Sequence, residues 1–149
     1  MNRSKQPIIL FGGLNGAGKT SILSAVRLVL FGRQSFNQML TNNDYINELN
    51  ELIHKGAGTI SQPDNAYIEL EFQYSQNGEE STYKVIRSWK RGQKDKLYLE
   101  KDDVALTELD YDQCQGFLNE LIPTGIADLF FFDGEKIAEL AEDESGTVL

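Results

Sequence analysis

The chain has 149 residues, 40% of them hydrophobic, and a formal net charge of −9. This length corresponds to about one domain with enough apolar residues for a core, and the acidic balance argues against a simple nucleic-acid coat protein. One cysteine and one histidine exclude a disulfide framework and a Cys/His zinc site. Because the sequence shows no signal peptide or membrane-length apolar run, we expect a cytoplasmic protein with no membrane contact.

The motif from Gly13 to Ser21 fits the pattern G-x-x-x-x-G-K-[ST] of a phosphate-binding P-loop. Glycines permit a tight turn whose N–H groups converge on an anion, and the following helix adds its positive dipole end. Lys19 is spaced to reach the β- and γ-phosphates of ATP, and the Thr20 hydroxyl to bind Mg²⁺. The motif therefore predicts that the nucleotide is bound by Asn15, Gly16, Ala17, Gly18, Lys19, Thr20 and Ser21.

The flanking segments favour a true P-loop over a chance glycine-rich turn. Residues 7–12 form a short apolar run typical of a buried parallel strand, and residues 21–31 predict a helix buried on most sides and ended by Gly32. Strand, glycine loop and helix are the order that the motif requires. We therefore expect a P-loop strand–helix unit over residues 7–32.

A polar segment, residues 33–65, is predicted to be a helical insert. Its apolar residues between Tyr45 and Ile53 recur at helical spacing, and Asp44 is placed to cap this helix. His54 follows near the C-terminal end of the helix, where a solvated histidine is expected rather than a catalytic one.

Residues 66–106 predict a three-stranded antiparallel meander. Residues 67–74 alternate between apolar and polar, a loop over residues 75–80 contains Asn77-Gly78, and strands over residues 82–89 and 96–101 follow. A plain doubly wound kinase would continue with βαβ units instead.

Seven of the fourteen basic residues lie between Lys84 and Lys101, against only Asp95 and Glu100. We expect Arg91, Lys94 and Lys96 to point outward from the turn between the second and third strands and to contact DNA phosphates. A solvated hairpin that balances an acidic domain is an equally good interpretation, because charge runs usually need no partner.

Residues 110–122 predict a helix that begins with a capping-box pattern, Asp110 followed three residues later by Gln113. Its apolar stripe includes Tyr111 and Cys114, and we interpret Cys114 as a small buried hydrophobic residue rather than a nucleophile.

The corner from Phe130 to Glu135 supports two interpretations. An apolar run followed by Asp133 is typical of a Walker B strand, in which Asp133 would hold Mg²⁺ through water and Glu135 would orient the attacking water. The chain would then be a compact, stand-alone NTPase. The alternative is a buried sheet edge that closes with an Asp-Gly turn.

The P-loop, its helix, the meander with its Ile86–Trp89 segment and the string Phe-Phe-Phe-Asp-Gly-Glu-Lys-Ile over residues 130–137 together resemble the N-terminal lobe of the DndD ATPases. That family serves bacterial DNA phosphorothioate (sulfur) modification and belongs to the SMC-like, ABC-type ATPases of chromosome maintenance and double-strand-break repair. The resemblance covers most of the chain. It implies an α/β P-loop NTPase fold, the ABC/SMC-type N-terminal lobe with a mixed sheet and an antiparallel meander.

The resemblance also implies that the chain is about half of an ATPase head. In such proteins this lobe carries Walker A and a Q-loop, and the signature motif, Walker B and switch histidine follow a long coiled coil. The Q-loop matches Asp133 to Glu135, with Asp133 where relatives commonly have glutamine, and residues 128–149 would be this corner and the start of the coiled coil. The implied partners are the protein's own C-terminal lobe, a second copy through ATP-sandwiched heads, DNA and other sulfur-modification proteins.

Two hypotheses therefore remain, and they assign the chain to different classes of protein. The chain is either a DNA-associated ATP-binding lobe that is inactive alone, or a small NTPase that uses Asp133. A nucleotide-dependent interaction module without DNA contact is a third.

Overall fold

The computed structural model describes residues 18–36, 38–53 and 63–125. The predicted strand over residues 7–12, His54 and the corner over residues 128–149 lie outside these ranges. Three helices and four strands follow one another in the order α1 (Lys19–Phe31), α2 (Asn42–Leu52), β1 (Asn65–Gln76), β2 (Glu79–Lys90), β3 (Lys96–Lys101), β4 (Val104–Ala105) and α3 (Tyr111–Leu121). None of the described helices is long and apolar enough to cross a membrane.

The strands form one antiparallel sheet in the order β1-β2-β3-β4, so the antiparallel part of the predicted fold is confirmed. The short fourth strand was not predicted; it follows the Asp102-Asp103 turn, where both residues have positive φ. The predicted six-residue hairpin loop was wrong. Strands β1 and β2 pair up to Gln76 and Glu79, which leaves only Asn77-Gly78 to connect them. Their φ values of 54° and 83° are those of a two-residue turn that matches the twist of the strands.

The inner face of the sheet packs against α3 and the second half of α1. Alternate residues of β2 are buried on this face, from Tyr83 through Val85 to Trp89, as the twofold period of a strand requires. The main core contains Val29, Leu30, Phe31, Tyr83, Val85, Leu99, Cys114, Leu118 and Leu121. A second cluster joins α2 to the end of β2 through Leu28, Tyr45, Leu49, Ile53 and Trp89.

The first half of α1 differs from the prediction of a helix buried on most sides. Ile22 is 50% exposed, and complete burial begins only at Leu28. Accordingly, the buried residues that α1 contributes to the two core clusters, residues 28–31, all lie in the last part of the helix.

Both helices that flank the sheet in sequence begin with reciprocal caps. Thr41, rather than the predicted Asp44, caps α2; Asp44 instead completes a capping box, in which each residue's backbone N–H donates to the other's side chain at 3.2 Å. Helix α3 has the predicted box between Asp110 and Gln113, with both bonds at 2.9 Å.

Candidate nucleotide-binding helix and its buried anchor

The described part of the predicted phosphate site is the start of α1. Gly18 precedes the helix in the left-handed conformation (φ 95°, ψ 6°), which glycine adopts without steric cost. Lys19 and Thr20 are the first two residues of the helix, and the exposed Ser21 is the third. The first intrahelical bond runs from the Ile22 N–H to the Gly18 carbonyl at 3.1 Å.

This helix start fits a phosphate group. The N–H groups of the first turn have no partner within the helix, and no side chain among the described residues caps them. The first turn contains no acidic residue that would repel an anion. Asn15, Gly16 and Ala17, as well as Asp133 and Glu135, lie outside the described residues, so their predicted roles stay predictions. Within the described ranges, no group of His, Cys, Asp and Glu side chains is arranged to hold a metal ion.

The opposite end of α1 is anchored by Arg87, whose side chain is fully buried. Its Nε donates to the Val29 carbonyl at 3.2 Å, and its Nη2 donates to Oε1 of Gln115 at 2.6 Å. Gln115 in turn donates from Nε2 to the Leu30 carbonyl at 2.8 Å. The last carbonyls of a helix lack intrahelical partners, so Arg87 and Gln115 supply partners for two of them.

The charge of Arg87 is balanced by Asp95, with which Nη1 forms a buried ion pair. The Tyr111 hydroxyl completes this cluster: it accepts from Arg87 Nη1 at 3.0 Å and donates to the Asp95 carboxylate at 2.9 Å. Burial alone would lower the pKa of Arg87, but Asp95, Tyr45 and Tyr111 together raise it above its usual value. The guanidinium therefore stays charged inside the protein.

Burial and the charges of Arg87 and Asp95 also shift the pKa values of the neighbouring Tyr111 and Tyr45. Loss of hydration, opposed by Arg87 and reinforced by Asp95, raises the pKa of Tyr111 to about 12. Burial also raises the pKa of Tyr45, whose hydroxyl has no hydrogen-bond partner among the described residues. Both phenols are therefore neutral at physiological pH, and the Tyr111 hydroxyl donates to Asp95.

We expected Arg87 in a basic surface segment, and that assignment was wrong. The signal that could have corrected it is positional: Arg87 lies two residues after Val85 and two before Trp89, on the inward face of β2. Tyr111 was likewise expected only to pack, yet its hydroxyl belongs to the cluster. Trp89 is also buried and donates from its indole N–H to the Leu49 carbonyl at 2.8 Å.

The three predicted DNA contacts, Arg91, Lys94 and Lys96, are all exposed at the turn between β2 and β3. Two hydrogen bonds fix the position of this turn. The Arg91 N–H donates to the Asp64 carbonyl at 2.7 Å, and the Gly92 N–H donates to Asn50 Oδ1 at 2.8 Å. The Lys94 ammonium lies 4.0 Å from the centroid of the Tyr111 ring.

Cys114 is 3% exposed, and burial raises the pKa of its thiol. This agrees with the predicted packing role, since a thiolate nucleophile needs a lowered pKa.

The described helices and the antiparallel sheet form an α/β domain, in which α1 begins at Lys19-Thr20 directly after the left-handed Gly18. The family model AAA_23, described as an AAA domain, matches residues 4–145, nearly the whole chain. The chain therefore belongs to this family of SMC-like P-loop ATPases, which use ATP and Mg²⁺. A search of the curated proteins gave no match.

Proposed function

We propose that the chain is the ATP-binding lobe of an SMC-like ATPase that acts on DNA. The observation that carries this proposal is the start of α1 at Lys19-Thr20 directly after the left-handed Gly18, within a chain that the ATPase family matches over residues 4–145. The backbone of residues 15–20 binds the phosphates, Lys19 neutralises the β- and γ-phosphates, and Thr20 binds Mg²⁺. Asn15 and Ser21 make secondary contacts, to the γ-phosphate side and to the α-phosphate.

The process we propose for this ATPase is DNA sulfur (phosphorothioate) modification. The support is the sequence resemblance to the DndD ATPases, above all the string over residues 130–137. Hydrolysis then requires a C-terminal lobe and two heads that enclose ATP between them. In this proposal Asp133 contributes to Mg²⁺ binding through water, and Glu135 orients the attacking water.

Titration calorimetry of the chain with ATP and Mg²⁺ tests the nucleotide site. Lys19→Ala removes a charge-assisted contact to phosphate, which is worth about 1.5–3 kcal/mol, so we expect affinity to fall by about 10- to 100-fold. Lys101→Ala is the control, because it removes an exposed lysine at the end of β3. An unchanged affinity in a Lys19→Ala variant with a native circular dichroism spectrum would refute the site.

A further inference from the structure

A cleft of about 290 Å³ opens at one end of the sheet, between the start of β1 and the turn that joins β2 to β3. The outward residues Tyr67, Ser88 and Lys96 lie side by side across three strands, since Tyr67 pairs with Ser88 and Ser88 with Lys96. The next row towards the end of the sheet pairs Asn65 with Lys90. All five residues line the cleft.

The cleft combines an exposed aromatic ring with positive charge. Tyr67 is 68% exposed, although a tyrosine on a sheet usually packs against a neighbour. The lining residues include three lysines and no carboxylate. The ammonium of Lys94 lies over Tyr111, which leaves Lys90 and Lys96 as the cations of the cleft. Within the described part of the chain, neither of these two lysines forms an ion pair.

The charge on this face changes sign along the strands. Glu69 and Glu71 follow Tyr67 on the outer face of β1, and Glu100 lies on β3, where it pairs with Lys84 at 3.2 Å. In a chain of net charge −9, a polyanion is repelled from most of the surface and attracted to the cleft end. Charge complementarity therefore selects an anionic partner for this end of the sheet.

We propose that this cleft binds single-stranded nucleic acid, with one base stacked on Tyr67 and the flanking phosphates on Lys90 and Lys96. An exposed ring can stack only on a base whose face is free, and a duplex hides the faces of its bases. The Ser88 hydroxyl lies between the ring and Lys96 and can bond to the sugar or base. Because neighbouring strands are about 4.8 Å apart, Tyr67 and Lys96 are separated by about 10 Å across the sheet. The inference rests on the proposed function in that nucleic acid is what the ATPase acts on.

The test is fluorescence anisotropy of a labelled single-stranded oligonucleotide of about 12 nucleotides, a length suited to one such site. Loss of base stacking in Tyr67→Ala should weaken binding by about 5- to 100-fold, while Tyr67→Phe, which keeps the ring, should bind like the parent. Replacing Lys90 and Lys96 together with glutamine should weaken binding and lower the slope of log affinity against log salt by about 0.7 for each phosphate that is no longer neutralised.

Matched control variants lie on the same sheet outside the cleft. Tyr98→Ala removes a 40% exposed tyrosine of the outer face, and Lys101→Gln removes an exposed lysine at the far end of β3. Both should bind the oligonucleotide like the parent. Equal losses in Tyr67→Ala and Tyr98→Ala would overturn the proposal.

Two competitors identify the ligand. The matching duplex should compete poorly and a mononucleotide should compete at least tenfold less well than the oligonucleotide; equal competition by either overturns the single-strand assignment.

ATP calorimetry on the same preparations separates the two proposals. Tyr67→Ala should keep the parent's ATP affinity. Oligonucleotide binding without ATP binding would refute the nucleotide site alone, and the reverse result would refute the cleft alone.

Discussion

At the scale of single residues, the most consequential side chain is Arg87. A buried guanidinium is costly unless it is paired and its remaining protons are bonded, and here it has Asp95, Val29, Tyr111 and Gln115 as partners. These partners come from α1, the turn before β3 and α3. Arg87 therefore joins β2 to the following turn and to two helices that are distant from it in sequence.

The position most sensitive to a small change is Gly32, at the end of α1. Its φ is +54°, and a Cβ atom there would lie 2.8 Å from Arg87 Nη1, so Gly32→Ala introduces backbone strain and displaces the guanidinium. We expect the free energy of unfolding, measured by urea denaturation, to fall by about 2–4 kcal/mol.

Gly116→Ala is the matched control for this prediction. Gly116 lies inside α3, where an added Cβ meets nothing within 4 Å, so the change should stabilise the protein by about 0.5–1 kcal/mol. Equal denaturation midpoints for Gly32→Ala and the parent would show that the close approach to Arg87 is unimportant.

At the scale of elements, the turn between β2 and β3 is the candidate for contact with DNA phosphates. Replacing Arg91, Lys94 and Lys96 with glutamate reverses three exposed charges while leaving the buried Asp95 in place. In the full-length ATPase we expect weaker DNA binding and a salt slope lower by about 0.7–0.9 for each phosphate that the turn no longer neutralises, with ATP affinity unchanged. Filter binding over a salt series measures both the affinity for DNA and its salt slope.

The control for the turn is Lys101→Glu, which reverses an exposed charge at the other end of β3. If the triple variant has the parent's slope and affinity, the turn is only a solvated surface and DNA is held elsewhere.

The sequence predicted those elements whose signals are local. The alternation of β1, the bounds of β3 and the Asp110–Gln113 cap of α3 all follow from patterns a few residues long. The two strands of the hairpin were predicted too short, because the residues next to the turn, such as Gln76 and Glu79, are polar and exposed. Backbone hydrogen bonds between the strands continue there, although the side chains show no alternation of apolar and polar residues.

The buried anchor could not be predicted in the same way. Arginine is a surface residue by type, and the sequence does not show that Asp95, Tyr111 and Gln115 converge on Arg87. For the nucleotide site, the sequence predicts the helix that follows the glycines but begins it at residue 21, two residues after the observed start at Lys19. Its contacts with phosphate stay predictions.

At the scale of the whole molecule, we expect the chain to hydrolyse ATP at close to the background rate. Phosphoryl transfer needs a positioned water and charge stabilisation in addition to phosphate binding, and the 149 residues contain no signature Ser-Gly-Gly. Phosphate release by the purified chain, with Lys19→Ala as the background control, measures this rate. Turnover of about 1 s⁻¹ would instead support the stand-alone NTPase. Asp133→Asn and Glu135→Gln should then each severely reduce that turnover.

The attachment of α1 has a mechanical consequence. Arg87 of β2 and Gln115 of α3 donate hydrogen bonds to the carbonyls of Val29 and Leu30. At 1.5 Å per residue, these carbonyls lie about 15 Å along the helix from Lys19. These hydrogen bonds fix the C-terminal end of α1 to β2 and to α3. Asp95, which forms the ion pair with Arg87, directly precedes Lys96 in the sequence. We therefore expect a movement of the C-terminal end of α1 to be transmitted through Arg87 and Asp95 to the turn between β2 and β3.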